Sequence, residues 1–482
     1  MKKPSKLTRR DKKGSTERNL KSASVPLSHR RKSLKAELRD LPSGDEASSP
    51  NLATDDPFKE ADKGLTRYRW FHGMMPRVDC EELVKAEGDF LVRRTTLAKV
   101  PTYCITVRHN GEAKHIPISY LKGIWSINQD SKATLGELLD MYVKGRIPIP
   151  PANSVLINYV ERPEYFLLHS NIILGEKLGH GAFGEVYSGK LRLGPAAEVP
   201  VAVKRAKEGH MKKSQLNSFI REAKIMRRLD HPNIVRMYGV APQEEPVMII
   251  LELAVNGSLK SYYKKNENVT NDKKLKFATD ACRGMCYLSL EKIIHRDLAA
   301  RNCLLGAAYE VKISDFGLSV ADKSELRLNK LQKVPVKWLS PETINEGVFT
   351  TKTDVWSFGV LMWEIFANCK SDPFPGETNA QAVSLITGKT PPMEPPPGSP
   401  LLVKQVMDLC FVKSPDARAD FGALLHVLAP SEAPPAVAAK TSSSDLNVHV
   451  TKSSETCLAK TKQPLAKSVD SPLNGHRTKA MA

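Results

Sequence analysis

Four short strings, in fixed order between residues 179 and 317 of 482, constrain this chain more than any other feature. The first is Gly179-His180-Gly181-Ala182-Phe183-Gly184-Glu185-Val186, set between segments patterned as strands. An apolar run, Val201-Ala202-Val203, then ends in Lys204, eighteen residues past Val186. His295-Arg296-Asp297-Leu298-Ala299-Ala300-Arg301-Asn302 follows, and Asp315-Phe316-Gly317 begins thirteen residues after Asn302. Glycines at the first spacing let backbone approach a phosphate, but a dinucleotide fold shows the same string opening a helix. Strand on both sides argues against that turn. Lys204 and Glu222, on the helix expected next, form a pair that can set an ammonium against phosphate oxygens. Taken singly, Glu222 could lie on a solvated face and Lys204 could simply end its strand. Asp297 can accept a hydroxyl proton, while Asn302 and Asp315 offer the hard oxygen ligands that Mg²⁺ shares with phosphates.

Composition places this chemistry in a larger frame. The length predicts two to four folding units, and 41% hydrophobic residues suffice to bury real cores. The net charge of +19 is uneven: residues 1–39 hold 14 Lys and Arg against 3 Asp and Glu, and residues 430–482 hold 7 against 4. Residues 1–65, a basic arm, and 430–482, a tail, have no sustained hydrophobic period and are expected to be disordered. The eight cysteines are scattered, which predicts neither a disulfide framework nor a zinc set. No run of about 18 apolar residues spans a membrane. The start Met-Lys-Lys lacks both a signal-peptide core and the second-position Gly of myristoylation. A soluble, cytoplasmic chain is expected, peripheral at the plasma membrane if the arm meets an anionic membrane surface. Nucleic acid is not an expected partner, because Arg9-Arg10 and His29-Arg30-Arg31-Lys32 carry no interleaved aromatics.

Between the arms lie two blocks, near 69–160 and 171–429, joined by a linker at 161–170. The first opens with Trp70-Phe71-His72-Gly73 and a helical stretch at 77–87. Short β-rich runs follow, with a hairpin signal at Asn110-Gly111, and then a helix near 133–145. This order makes an α+β unit of about 90 residues. Arg93 stands inside the apolar run Phe90-Leu91-Val92-Arg93. A guanidinium facing a core has to be paired, either with a carboxylate in a structural role or with a bound phosphate.

The surrounding residues resemble the SH2 family over the whole block: Trp70-Phe71-His72-Gly73, Arg77, Phe90-Leu91-Val92-Arg93 and His115. That resemblance implies phosphotyrosine binding by Arg93, with Arg77 and His115 flanking the ring and Thr95 and Thr96 in the loop that caps the phosphate. Two departures stand out. Arg94 replaces the Glu or Gln of many members and is expected to make the pocket more positive. Ile116 replaces an aromatic residue and is expected to open a groove for apolar residues after the phosphotyrosine.

The second block begins with glycine-rich strand patterns and turns helical, as in 214–229 and 355–366, which predicts a β-rich lobe, a helical lobe and a cleft. Its four strings, closed by Ser340-Pro341-Glu342, identify it as a protein kinase fold. Ala299-Ala300-Arg301 and Val334-Pro335-Val336-Lys337-Trp338 look like tyrosine kinases. Together, the SH2-then-kinase order and these strings resemble the Fes/Fer family of non-receptor tyrosine kinases over residues 69–429. The family's F-BAR and coiled-coil half is not expected in this chain, so its membrane-curvature role is not carried over.

The resemblance implies transfer from ATP, with Mg²⁺ or Mn²⁺, to protein tyrosines. Asp297, Arg301, Lys204 and Glu222 take the catalytic roles. Leu178, Gly179, Gly181, Gly184, Val186, Lys204, Glu252 and Ala254 line the nucleotide site, and Asn302 and Asp315 hold metal. Leu251 takes the position at the back of the nucleotide pocket, and Arg418 should pair with Glu342. Binding of phosphotyrosine proteins would localise the enzyme and switch it on by bracing the 214–229 helix. Family members usually carry a tyrosine between Gly317 and Val334; this chain has none there, but it has Asp322 and Glu325. Activation without loop tyrosine phosphorylation is therefore expected, by the loop's own carboxylates or by the SH2 contact.

Overall fold

A computed structural model of the chain describes residues 57–97, 100–181, 184–194, 196–206, 213–329 and 335–432. The basic arm up to residue 56 and the tail from 433 lie outside the described residues. Residues 57–65, read from sequence as the end of the arm, instead form helix α1 (Pro57–Leu65). Charges hide its apolar face in the sequence: Ala61 and Leu65 are buried in the first core, and Phe58 packs beside them.

Helix α2 (Arg77–Leu83) is shorter than its pattern suggests. The Asp89 carboxylate accepts the Lys85 and Ala86 backbone N–H groups at 3.2 and 2.8 Å, which draws the chain off the helical path. Strands β1 (Asp89–Leu97), β2 (Val100–His109), β3 (Glu112–Leu121), β4 (Ile124–Ile127) and β5 (Asp130–Lys132) form an antiparallel meander. Helix α3 (Leu135–Gly145) starts at a capping box in which Thr134 and Glu137 satisfy each other's N–H groups. Strand β6 (Asn158–Tyr159) adds parallel to β1, giving the order β5-β4-β3-β2-β1-β6. Both faces of β1 are covered, so its burial does not alternate. One face packs under α1 and α3, with Trp70, Tyr103 and Trp125, and the other under α2, with Cys80 and Leu91.

The second block begins with the antiparallel sheet β10-β11-β9-β8-β7. Its strands are β7 (Ile172–Gly181), β8 (Gly184–Gly194), β9 (Ala197–Ala206), β10 (Met237–Ala241) and β11 (Met248–Glu252). Helix α4 (Lys213–Met226) lays Phe219, Ile220 and Ala223 on this sheet. The larger lobe is helical, built around the 20-residue α5 (Asn271–Leu290) and α6 (Thr351–Phe366). Helix α6 is buried from Thr353 to Phe366, as expected of a helix apolar on all sides.

The two blocks are in direct contact. Met74 joins the small-lobe core beside Phe219 and Ile220, and its N–H donates to the Pro242 carbonyl at 2.8 Å. Gly73, at φ +62°, lies so close that an added Cβ would come within 2.1 Å of that carbonyl oxygen. Lys224 on α4 pairs with Asp79 on α2 and, at 3.2 Å, with Glu82. The linker is stitched to β10: Leu167 donates to the Val240 carbonyl and Val240 to that of Tyr165, both at 2.9 Å.

Candidate active site and phosphate pocket

Strand register brings the residues expected at the nucleotide site into line. Gly179 on β7 faces Val186 on β8, which faces Lys204 on β9. Gly181 faces Gly184 across the hairpin, whose tip residues 182 and 183 lie outside the described residues. Gly184 packs so tightly that a Cβ would meet the Arg205 carbonyl oxygen at 2.1 Å, which explains glycine there without any ligand. Leu178 on β7 is 55% exposed. At the other edge, the Glu252 N–H is used by the Arg236 carbonyl and its side chain pairs with Lys312 at 3.0 Å. Ala254 lies just beyond it, its carbonyl accepting from the Gly257 N–H at 3.2 Å. Leu251 is half-buried between the two lobes' cores.

Lys204 Nζ donates to both Glu222 carboxylate oxygens, at 2.6 and 2.8 Å, and lies 3.4 Å from Asp315 Oδ1. The ammonium thus joins strand β9, helix α4 and the Asp-Phe-Gly turn. Burial pushes the Asp315 carboxyl up, but Lys204, the Gly317 N–H and His295 together outweigh it and hold the group below the usual range. Phe316 is buried edge-on against His295, with ring centroids 5.2 Å apart.

Asp297 receives hydrogen bonds from Arg301 and, at 2.8 Å, from Asn302 Nδ2, which also donates to its carbonyl at 2.7 Å. Burial raises the Asp297 carboxyl above its ordinary range, against the pull of Arg301. Arg301 itself rests over the Trp338 ring, 4.7 Å from its centroid. Asn302 spends its amide nitrogen on Asp297, leaving its amide oxygen for a cation beside the ionised Asp315. Among the described residues, no group of three or more His, Cys, Asp and Glu side chains could hold a metal alone. A hard divalent ion held by Asn302 and Asp315 would complete its shell with waters or with phosphate oxygens.

Two supporting carboxylates escaped the sequence reading. Asp354 accepts the backbone N–H groups of His295 and Arg296, at 2.7 and 2.9 Å, and burial pushes its carboxyl up to about 6. Glu364 accepts from Ala300 N at 2.9 Å and from Trp338 Nε1 at 3.0 Å. The available signal was an acid placed at the start of, or inside, an otherwise apolar helix. Arg418 is 1% exposed and pairs with Glu342 at 2.6 and 3.0 Å, as expected.

In the first block Arg93 is 6% exposed, and its buried Nε has no hydrogen-bond partner. The carboxylate partner that a structural role would require is not what the structure shows. Arg77 donates from Nε to Glu81 at 2.7 Å, and His115 meets the same oxygen at 2.9 Å, so Glu81 holds both flanking groups. Thr95 is half-buried and Thr96 exposed at the end of β1. Two expectations are corrected. Arg94 points to the opposite face from Arg93, as the strand period of two dictates, and pairs with buried Asp62 on α1. It therefore adds no charge to the Arg93 pocket. Ile116 is 9% exposed and packs in the core with Ile118 instead of opening a groove.

Comparisons with known proteins agree with this geometry. Residues 70–142 match the family described as SH2 domain, and residues 172–428 that described as protein tyrosine and serine/threonine kinase. Fer-related kinase 1 of Caenorhabditis elegans is 40% identical over 356 residues, covering 72% of this chain and 90% of the relative. Tyrosine-protein kinase Fer of Homo sapiens is 37% identical, over 77% of this chain and 45% of the relative. The Fujinami sarcoma virus transforming protein Fps, a tyrosine-protein kinase, is 36% identical over 76% of this chain and 41% of its own length. The chain thus spans less than half of these longer relatives. An SH2 domain docked on a bilobal kinase domain, with relatives of this kind, makes the chain a protein tyrosine kinase of the Fer-related family.

Proposed function

We propose that this chain is a catalytically active kinase that transfers the ATP γ-phosphate to protein tyrosines, localised and switched on by phosphotyrosine at its SH2 domain. The observation that carries the reading is the closed set Lys204–Glu222–Asp315, together with an Asp297 oriented by Arg301 and Asn302. Lys204 fixes the α- and β-phosphates, and the glycine-rich hairpin covers them. Asn302 and Asp315 would hold a divalent ion, which would supply charge neutralisation when bound. Asp297 takes the tyrosine hydroxyl proton as that oxygen bonds to the γ-phosphorus and the bridging bond to ADP breaks. Arg301 supplies positive charge beside the attacking oxygen. Most of the rate gain is positioning and electrostatics.

At the SH2 domain, an orphaned guanidinium at the bottom of a sheet supports binding of a phosphotyrosine dianion by Arg93, Arg77, Thr95 and His115. The Met74, Gly73 and Lys224 contacts supply a route by which that domain braces α4 and hence Glu222. Among the described residues no helix is long and apolar enough to cross a membrane. We place the chain in the cytoplasm, with the basic arm meeting anionic lipid at the plasma membrane. The deciding experiment is phosphate transfer from ATP to a Glu/Tyr polymer. Asp297→Asn should lower kcat by about 10²–10⁴-fold. A wild-type chain that binds phosphotyrosine peptide but transfers no phosphate would make it a scaffold instead.

A further inference from the structure

Kinase domains need the segment after Asp-Phe-Gly held in place, and a phosphorylated tyrosine commonly does this through basic side chains. This chain has no tyrosine between Gly317 and Val334. The catalytic-loop Arg296 is already engaged by its own chain on Nη1 and on its ring face, although its buried Nε has no partner. Its Nη1 donates to the Leu318 carbonyl at 2.8 Å, and its guanidinium lies 4.3 Å from the centre of the Phe349 ring.

Another pair lies nearby. Arg228, two residues beyond the end of α4, donates from Nη1 and Nη2 to the two Asp322 oxygens, at 2.5 and 3.0 Å. Asp322 is held from its backbone as well: its N–H donates to the Lys292 carbonyl at 3.1 Å, and residues 320–321 pair with Ile293 and Ile294. Arg228 follows Glu222 by six residues, and Asp322 follows Asp315 by seven. The fork therefore connects the helix that carries Glu222 to the segment that carries Asp315, and Lys204 connects the same two elements inside the cleft. We propose that Arg228 and Asp322 are positioning residues that take the place of a loop phosphate, holding α4 and the segment together without modification. The inference rests on the chain being an active kinase.

The left-handed backbone at Asp322, φ +60°, suits a clean test, since asparagine favours that region while removing the charge. Full-length wild type, Arg228→Gln, Asp322→Asn, the double variant and Arg228→Lys are assayed before and after tyrosine phosphatase. Wild type should keep its activity after the phosphatase. Each neutralising variant should lose about two- to five-fold in kcat/KM, the range an exposed ion pair can supply. The double variant should lose no more than either single one, and Arg228→Lys should retain part of the activity. Additive losses, no loss, or activity abolished by the phosphatase would overturn the proposal. Wild type inactive from the outset would instead overturn the kinase reading on which it rests.

Discussion

Among single residues, Arg93 makes the sharpest prediction. A guanidinium at 6% exposure with an orphaned Nε is costly unless an anion completes it, and no carboxylate does so here. Lysine keeps the charge but loses the fork. Arg93→Lys should therefore weaken phosphotyrosine peptide binding by roughly 100-fold, the loss of about two charge-assisted hydrogen bonds, as titration calorimetry would measure. A change below threefold would place the phosphate elsewhere. The residues proposed to meet phosphate or metal could be picked out in the sequence because that chemistry admits few side-chain types at strict spacings. Their supports could not. Glu81, Asp354 and Asp62 are three among 53 acidic residues, and only the fold brings them under a histidine, a catalytic loop or an arginine.

At the scale of elements, two contacts carry consequences. Gly73 lets the loop after Trp70-Phe71-His72 lie against Pro242 and Gln243 on the small lobe, with no room for a Cβ. Gly73→Ala should separate α2 from α4, weaken the Lys224 pairs and lower kcat/KM several-fold, while both domains stay folded by circular dichroism. Unchanged activity would mean that the SH2 domain does not brace α4. Helix α1 was missed by sequence reasoning because its one apolar face is only three residues long and lies among charges. Its Asp62 accepts from Tyr103 at 2.8 Å and pairs with Arg94, yet burial pushes the carboxyl up to about 7. The folded state then holds a proton that the unfolded chain has released above about pH 4. Relative to Asp62→Asn, wild-type stability should fall as pH rises from about 4 to about 7, by up to ~1 kcal/mol per unit, and level off above. A pH-independent difference in urea unfolding would refute this. The domain order was plain from the strings; the boundary at residue 57 was not, because it depends on packing rather than motif.

For the whole molecule, the charge distribution makes the last prediction. The 14 basic residues of positions 1–39 are worth about 1 kcal/mol each at most near an anionic surface, and salt screens them. Full-length chain should sediment with phosphatidylserine vesicles at low salt and lose this above ~0.5 M, and a chain lacking residues 1–39 should not sediment. Retention by the shortened chain would assign lipid contact to another surface. Finally, the linker laid along β10 makes this enzyme something like a caliper. A flexible tether would let a kinase sample targets at many separations from its docking point. If the Arg93 pocket and Asp297 act as proposed, hydrogen bonds along the linker set the gap between them, and a doubly engaged target would supply the slack from its own chain. Selection between tyrosines on one target would then be a question of contour length, decided by how many residues separate the phosphorylated position from the next.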